Sequence, residues 1–202
     1  MTPSDAAPLN KQAGLTARRT LLALVGLSAA AGGAWWAWRK QASTNTAAAS
    51  PQADAASAPG DAVPAAVWQQ QFDTPAGATL ALSAFQGKPL LINFWATWCP
   101  PCVKEMPELD RFSQTFKAKG WHVIGLAIDS PTPVKAFLSK VGVGFDIGLA
   151  GMGGTELSQA LGNDAGGLPF TVLIDAQGRI RQRKAGGTHF DELAAWANEI
   201  TP

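Results

Sequence analysis

The two cysteines of this chain stand three residues apart, in Trp98-Cys99-Pro100-Pro101-Cys102, at the joint between a strand pattern and a helix pattern. Upstream, Leu90-Leu91-Ile92-Asn93-Phe94-Trp95 is almost wholly apolar, as a strand covered on both faces requires. Downstream, residues 101–119 carry a helical pattern, with Pro107 expected to bend it. Positions i and i+3 share a helix face, so two sulfurs at that spacing can close a short disulfide and reopen it. Strand, C-x-x-C, then helix is the context in which the motif reads as redox-active. The positive end of the helix favours a thiolate at Cys99.

The rest of the pattern predicts an α/β domain over residues 67–202. Residues 67–72 and 79–82 read as strands joined by a turn, an N-terminal β-hairpin added to the main sheet. Residues 122–128 are a second buried strand and 132–141 a second helix. The stretch 142–167 is rich in glycine, with a short helix over 155–161. Residues 170–174 and 179–184 form a hairpin around Asp175-Ala176-Gln177-Gly178. A closing helix over 188–200 starts at a capping box of Thr188 and Asp191. Strands, then β-α-β-α, then a hairpin and a helix imply a mixed central sheet flanked by helices.

The first 66 residues differ in character. Residues 1–19 are polar and read as a cytoplasmic N-terminal segment. Residues 20–38 hold no charge and end in Trp35-Trp36-Ala37-Trp38 before Arg39-Lys40. At 1.5 Å per residue they span roughly 28 Å, enough for a transmembrane anchor with an interfacial aromatic belt. The h-region of a cleaved signal peptide is the alternative. Either way the domain is exported, so the expected location is the inner (cytoplasmic) membrane, single-pass, with the domain facing the periplasm or cell exterior. Residues 41–66 are Ala, Ser, Thr and Pro with two aspartates, and read as a flexible linker.

Composition also excludes. Sixteen basic residues against fifteen acidic ones make no case for nucleic acid. Two cysteines and two histidines, His122 and His189, do not make a four-ligand zinc site, and no metal is expected. Gly151-Met152-Gly153-Gly154 lacks the Gly-Lys-Ser/Thr ending of a phosphate loop. Arg181, Arg183 and Lys184 read as a solvated strand.

Asn93-Phe94-Trp95-Ala96-Thr97-Trp98-Cys99-Pro100-Pro101-Cys102, Lys104-Glu105-Met106-Pro107, and the later blocks 167–175 and 177–180 resemble the TlpA/ResA family of membrane-tethered thiol–disulfide oxidoreductases. The resemblance covers about residues 67–200 and implies a thioredoxin-like fold. It implies a protein-disulfide reductase without a cofactor, fed by a membrane electron-donor protein. Its clients would be protein disulfides, such as those met in cytochrome c maturation or copper-site assembly. It also implies a cis Pro169 beside the disulfide. Where thioredoxin itself has a buried aspartate, this chain has Asn93; the family pattern supplies Glu105 instead as proton carrier.

Cys99 is the expected nucleophile, exposed at the helix start, and Cys102 the buried resolving thiol. Pro100 and Pro101 have no N–H, which leaves the donors of Cys102 and Val103 for the Cys99 sulfur and predicts a more reducing couple. Glu105, three residues after Cys102, shares its helix face. Trp98, Gly167 and Leu168 are the expected substrate contacts, the Leu168 backbone pairing with an extended client segment. Two alternatives stay open: a disulfide donor running the same chemistry in reverse, and a module holding Cu(I) between two thiolates.

Overall fold

Alternation along the central strand decides how the layers assemble. In β3 (Leu90–Trp95), Leu90, Ile92 and Phe94 join one apolar cluster, while Leu91 and Trp95 join the other. Period-two geometry therefore sends Asn93 to the Leu91–Trp95 side, the face on which the active-site helix packs. The computed structural model describes residues 60–200.

The elements in order are α1 (Ala65–Trp68), β1 (Gln71–Asp73), β2 (Thr79–Ala81), β3, α2 (Pro100–Phe116), β4 (His122–Ala127), α3 (Pro131–Leu138), β5 (Asp146–Leu149), α4 (Gly153–Ala160), β6 (Phe170–Ile174), β7 (Ile180–Ala185) and α5 (Phe190–Ile200). They build a seven-stranded mixed sheet of order β2-β1-β5-β4-β3-β6-β7. β4 runs parallel to both β3 and β5, whereas β6 is antiparallel to β3 and β7 to β6. β1 pairs antiparallel with β2 and touches β5 through Asp73 and Leu149. Residues of α1 and α4 fill one face of the sheet; α2, α3 and α5 fill the other. The mixed sheet flanked by helices expected from the order of elements is present, in the thioredoxin-like arrangement that the family resemblance implies.

Four local expectations differ. Val67 and Trp68 are helical in α1 rather than extended, because both turn into the core beside Val63 and Phe85. Residues 60–66, assigned by composition to the 41–66 linker, belong to the fold: Val63 N–H donates to Gly178 O at 2.8 Å and Ile180 N–H to Asp61 O at 2.8 Å. β5 lies inside the stretch read as glycine-rich loop. A Cβ on Gly148 would stand 2.8 Å from Leu126 Cδ2 and 3.1 Å from Phe72 Cβ, so glycine is what lets this strand close on its neighbours. Finally, α5 begins at Phe190, and the hydroxyl of Thr188 serves Glu105 instead of capping the helix. Helix α2 runs through Pro107, which faces solvent.

The segments 1–19, 20–38 and 41–59 lie outside the described residues. Among the described residues, no helix is long and apolar enough to cross a membrane.

Candidate active site

Beyond β3 the chain turns through Ala96, Thr97 and Trp98 and enters α2 with Cys99 as its N-cap. Asp129, just past the end of β4, holds that turn in place. Its Oδ2 accepts from the Thr97 N–H at 2.9 Å and from the Thr97 hydroxyl at 2.5 Å, and its Oδ1 accepts from Ser130 N–H at 2.6 Å. Nothing in local sequence pattern marked Asp129, because its partner lies 32 positions away in the turn after β3.

Cys99 and Cys102 are joined by a disulfide with Cα atoms 5.3 Å apart. The Cys102 N–H donates to the Cys99 sulfur at 3.3 Å; this disulfide sulfur stands where the thiolate of the reduced form would be. The Val103 N–H, expected to share that task, donates instead to the Cys99 carbonyl at 3.1 Å as the first helical bond. One backbone donor therefore reaches the sulfur. The expected exposure of Cys99 also needs correcting. Only 4% of it meets solvent, because in the oxidised form it packs into the apolar cluster of α2; Cys102 is fully buried at 0%.

The Leu168–Pro169 peptide bond is cis. Pro169 O accepts from Gly186 N–H at 2.8 Å, and Leu168 packs against both apolar clusters. Beside these residues opens a groove of about 650 Å³, lined by Trp98, Ile128, Asp129, Met152, Gly167 and Leu168 among others. Trp98 (66% exposed) and Met152 (82%) are the exposed large apolar side chains of the described residues, and both face this groove. All three expected substrate contacts thus line one cavity. Met152 was missed, since its glycine-rich setting signalled only a loop.

Below the disulfide lies a buried polar network. Glu105 sits on the stripe of α2 that carries Cys102, Met106 and Leu109 into the core, and is 3% exposed. Its Oε1 accepts from Asn93 Nδ2 at 2.8 Å. Its Oε2 accepts from the Thr188 N–H at 2.8 Å and the Thr188 hydroxyl at 3.1 Å. Burial pushes the Glu105 carboxyl above the ordinary value of 4.5, and it outweighs the opposing hydrogen bonds from Thr188 and Asn93 and the charge of His189. A carboxyl so placed can hold a proton in a pH range where a solvated glutamate cannot. His122 lies at the other end of β4 against Phe85 and takes no part.

The Redoxin family model matches residues 37–196 of the chain. This chain is a redoxin. It is similar to thiol-disulfide oxidoreductase ResA of Bacillus thuringiensis (strain Al Hakam), with 32% identity over 127 residues, 62% of this chain and 71% of that protein. Solved structures agree on the fold. A thiol:disulfide interchange protein of the thioredoxin family from Chlorobium tepidum TLS superposes with a TM-score of 0.62 at 23% identity, over 72% of this redoxin and 99% of the other chain. The dsbF of MTB gives 0.59 at 25% identity, over 69% and 99%. With its Cys99–Cys102 disulfide, this redoxin is a thiol–disulfide oxidoreductase of the TlpA/ResA type.

Proposed function

We propose that this protein is an exported, membrane-tethered reductase of protein disulfides, held to the inner membrane by residues 20–38 with its domain outside. The single observation that carries the proposal is the Cys99–Cys102 disulfide at a helix cap, with Cys99 the cysteine of the pair that reaches solvent, and an open apolar groove beside Trp98. In the reduced form the Cys99 thiolate attacks a client disulfide. A Cys99–client bond forms, and the second client sulfur leaves as a thiolate and is protonated. Cys102 then gives its proton to Glu105 and attacks Cys99 as a thiolate. The mixed disulfide breaks, the Cys99–Cys102 bond forms, and the client leaves with two electrons gained. A membrane electron-donor protein restores the dithiol.

Trp98, Gly167 and Leu168 would hold the client. Neither the N–H nor the carbonyl of Leu168 bonds within the described residues, which leaves both for an extended client strand next to cis Pro169. The reducing direction is supported by the lone backbone donor at the Cys99 sulfur, since a poorly stabilised thiolate favours the disulfide form. Clients of the kind met in cytochrome c maturation or metal-site assembly fit the resemblance to ResA.

Trapping tests the proposal. With Cys102→Ala in the native host, a client protein is expected to stay covalently bound to Cys99 and to be freed by dithiothreitol. If nothing is captured, or if Cys99→Ala captures as much, the proposal fails. A titration against glutathione decides direction: a potential near about −120 mV would make the chain a disulfide donor.

A further inference from the structure

Asn93 is a wholly buried polar residue to which the exchange above gives no task. It lies opposite Thr171 across the β3–β6 pair. All its side-chain bonds are on one edge of the amide: Nδ2 donates to Glu105 Oε1 at 2.8 Å and to Thr171 Oγ1 at 3.0 Å. On the other edge, Oδ1 is equally buried and meets no partner among the described residues. Buried polar atoms left bare are rare, and this one belongs to the residue that touches the proton carrier.

The two oxygens of Glu105 are not equivalent. Oε2 faces the Thr188 backbone N–H, which can only donate, so Oε2 is an acceptor in both protonation states. The Thr188 hydroxyl on the same oxygen could turn to accept, but a proton on Oε2 would leave the fixed N–H facing the poorly accepting hydroxyl oxygen of the acid, so the favoured place for the proton is Oε1. There it would point at Asn93 Nδ2, donor against donor. The acid form needs an acceptor at that spot.

We propose that Asn93 is a positioning residue that follows the proton on Glu105: its amide donates to the carboxylate, and inverts to accept from the carboxylic acid. The inference rests on Glu105 taking the Cys102 proton. Inversion carries Oδ1 to the Oε1 proton and leaves Nδ2 as the bare buried atom in its place, so the two orientations each leave one polar edge unserved. The Thr171 hydroxyl can donate or accept and so serves either orientation. The proton passes from the Cys102 thiol to Glu105 Oε1, leaving a thiolate and an acid, with net charge and electron count unchanged. His189, before α5, is the charged group that bears on Glu105 from that side. Cys102, on α2 itself, becomes titratable once reduced. β3 and β6 contribute Asn93 and Thr171, neither of which titrates.

The test uses the full chain in its oxidised form, in which both sulfurs are silent. Carboxyl-carbon and side-chain amide NMR are followed across pH. The Asn93 NH2 protons are expected to lose their cross-relaxation with Thr171 below the Glu105 midpoint and regain it above, which a neighbouring charge alone would not produce. In Glu105→Gln, whose amide offers a permanent donor, that cross-relaxation should be absent at every pH. In Asn93→Leu the carboxylate loses a charge-assisted bond, so the Glu105 midpoint should rise by about one unit or more. Asn93 NH2 protons that keep their cross-relaxation with Thr171 throughout the Glu105 titration overturn the inference, as does an unmoved midpoint in Asn93→Leu. Should that variant not fold, the unmutated amide decides alone. The reading beneath stands or falls separately: if Glu105→Gln leaves the pH profile of peptide-disulfide reduction unchanged, Glu105 is not the proton carrier.

Discussion

Glu105 makes the stability of the oxidised protein depend on pH in a direction opposite to most carboxylates. Its folded value lies above its unfolded one, so between the two the native state binds more protons than the unfolded chain. The stabilisation is complete below about pH 4.5 and is lost as pH climbs through the raised folded value. Glu105→Gln removes this loss. Urea midpoints across pH should show the wild type falling relative to the variant above pH 4.5; parallel curves would mean an ordinary carboxyl. This pairing was only half legible in the sequence. The i, i+3 spacing put Glu105 beside Cys102, and Asn93 was visible as a departure from thioredoxin. Thr188 was not, because T-x-x-D before a helix matches a capping box and its real partner lies 83 positions away. A buried carboxylate short of donors outbid the helix end, which water can serve.

Among the elements, the turn between β3 and α2 depends on Asp129. Thr97 N–H, Thr97 hydroxyl and Ser130 N–H are all donors to its two oxygens, so only an acceptor on both sides satisfies them. Asp129→Asn would place an NH2 against a donor. The expected result is about tenfold faster amide exchange at Thr97, from loss of roughly 1–1.5 kcal/mol locally, read by hydrogen-exchange NMR. Strand β5 offers a second test. Gly148→Val drives a side chain against Leu126 and Phe72, and should lower stability by about 1–3 kcal/mol in urea unfolding. The long apolar runs of β3, β4 and β6 announced themselves, since nearly every residue in them is buried. β5 did not. It has four residues, one of them the glycine its neighbours require, and such a run cannot be told from a loop by periodicity.

At the scale of the molecule, the chain enters the fold along the outer edge of β7. Residues 60–63 cover part of that edge and insert Val63 into the core. Composition hid this, because one valine among alanines and prolines carries little hydrophobic pattern. A protein lacking residues 1–66 should be less stable than one lacking 1–59 by at least about 2 kcal/mol, measured by denaturant midpoint, from the lost burial of Val63 and its hydrogen bonds. The sliver of Cys99 that reaches the surface has its own consequence. In the oxidised protein, small thiols diffusing past find almost no sulfur to strike, since Cys99 is 4% exposed and Cys102 is fully covered. Opening of the bond by free glutathione should therefore be slow, and what limits it is access rather than driving force.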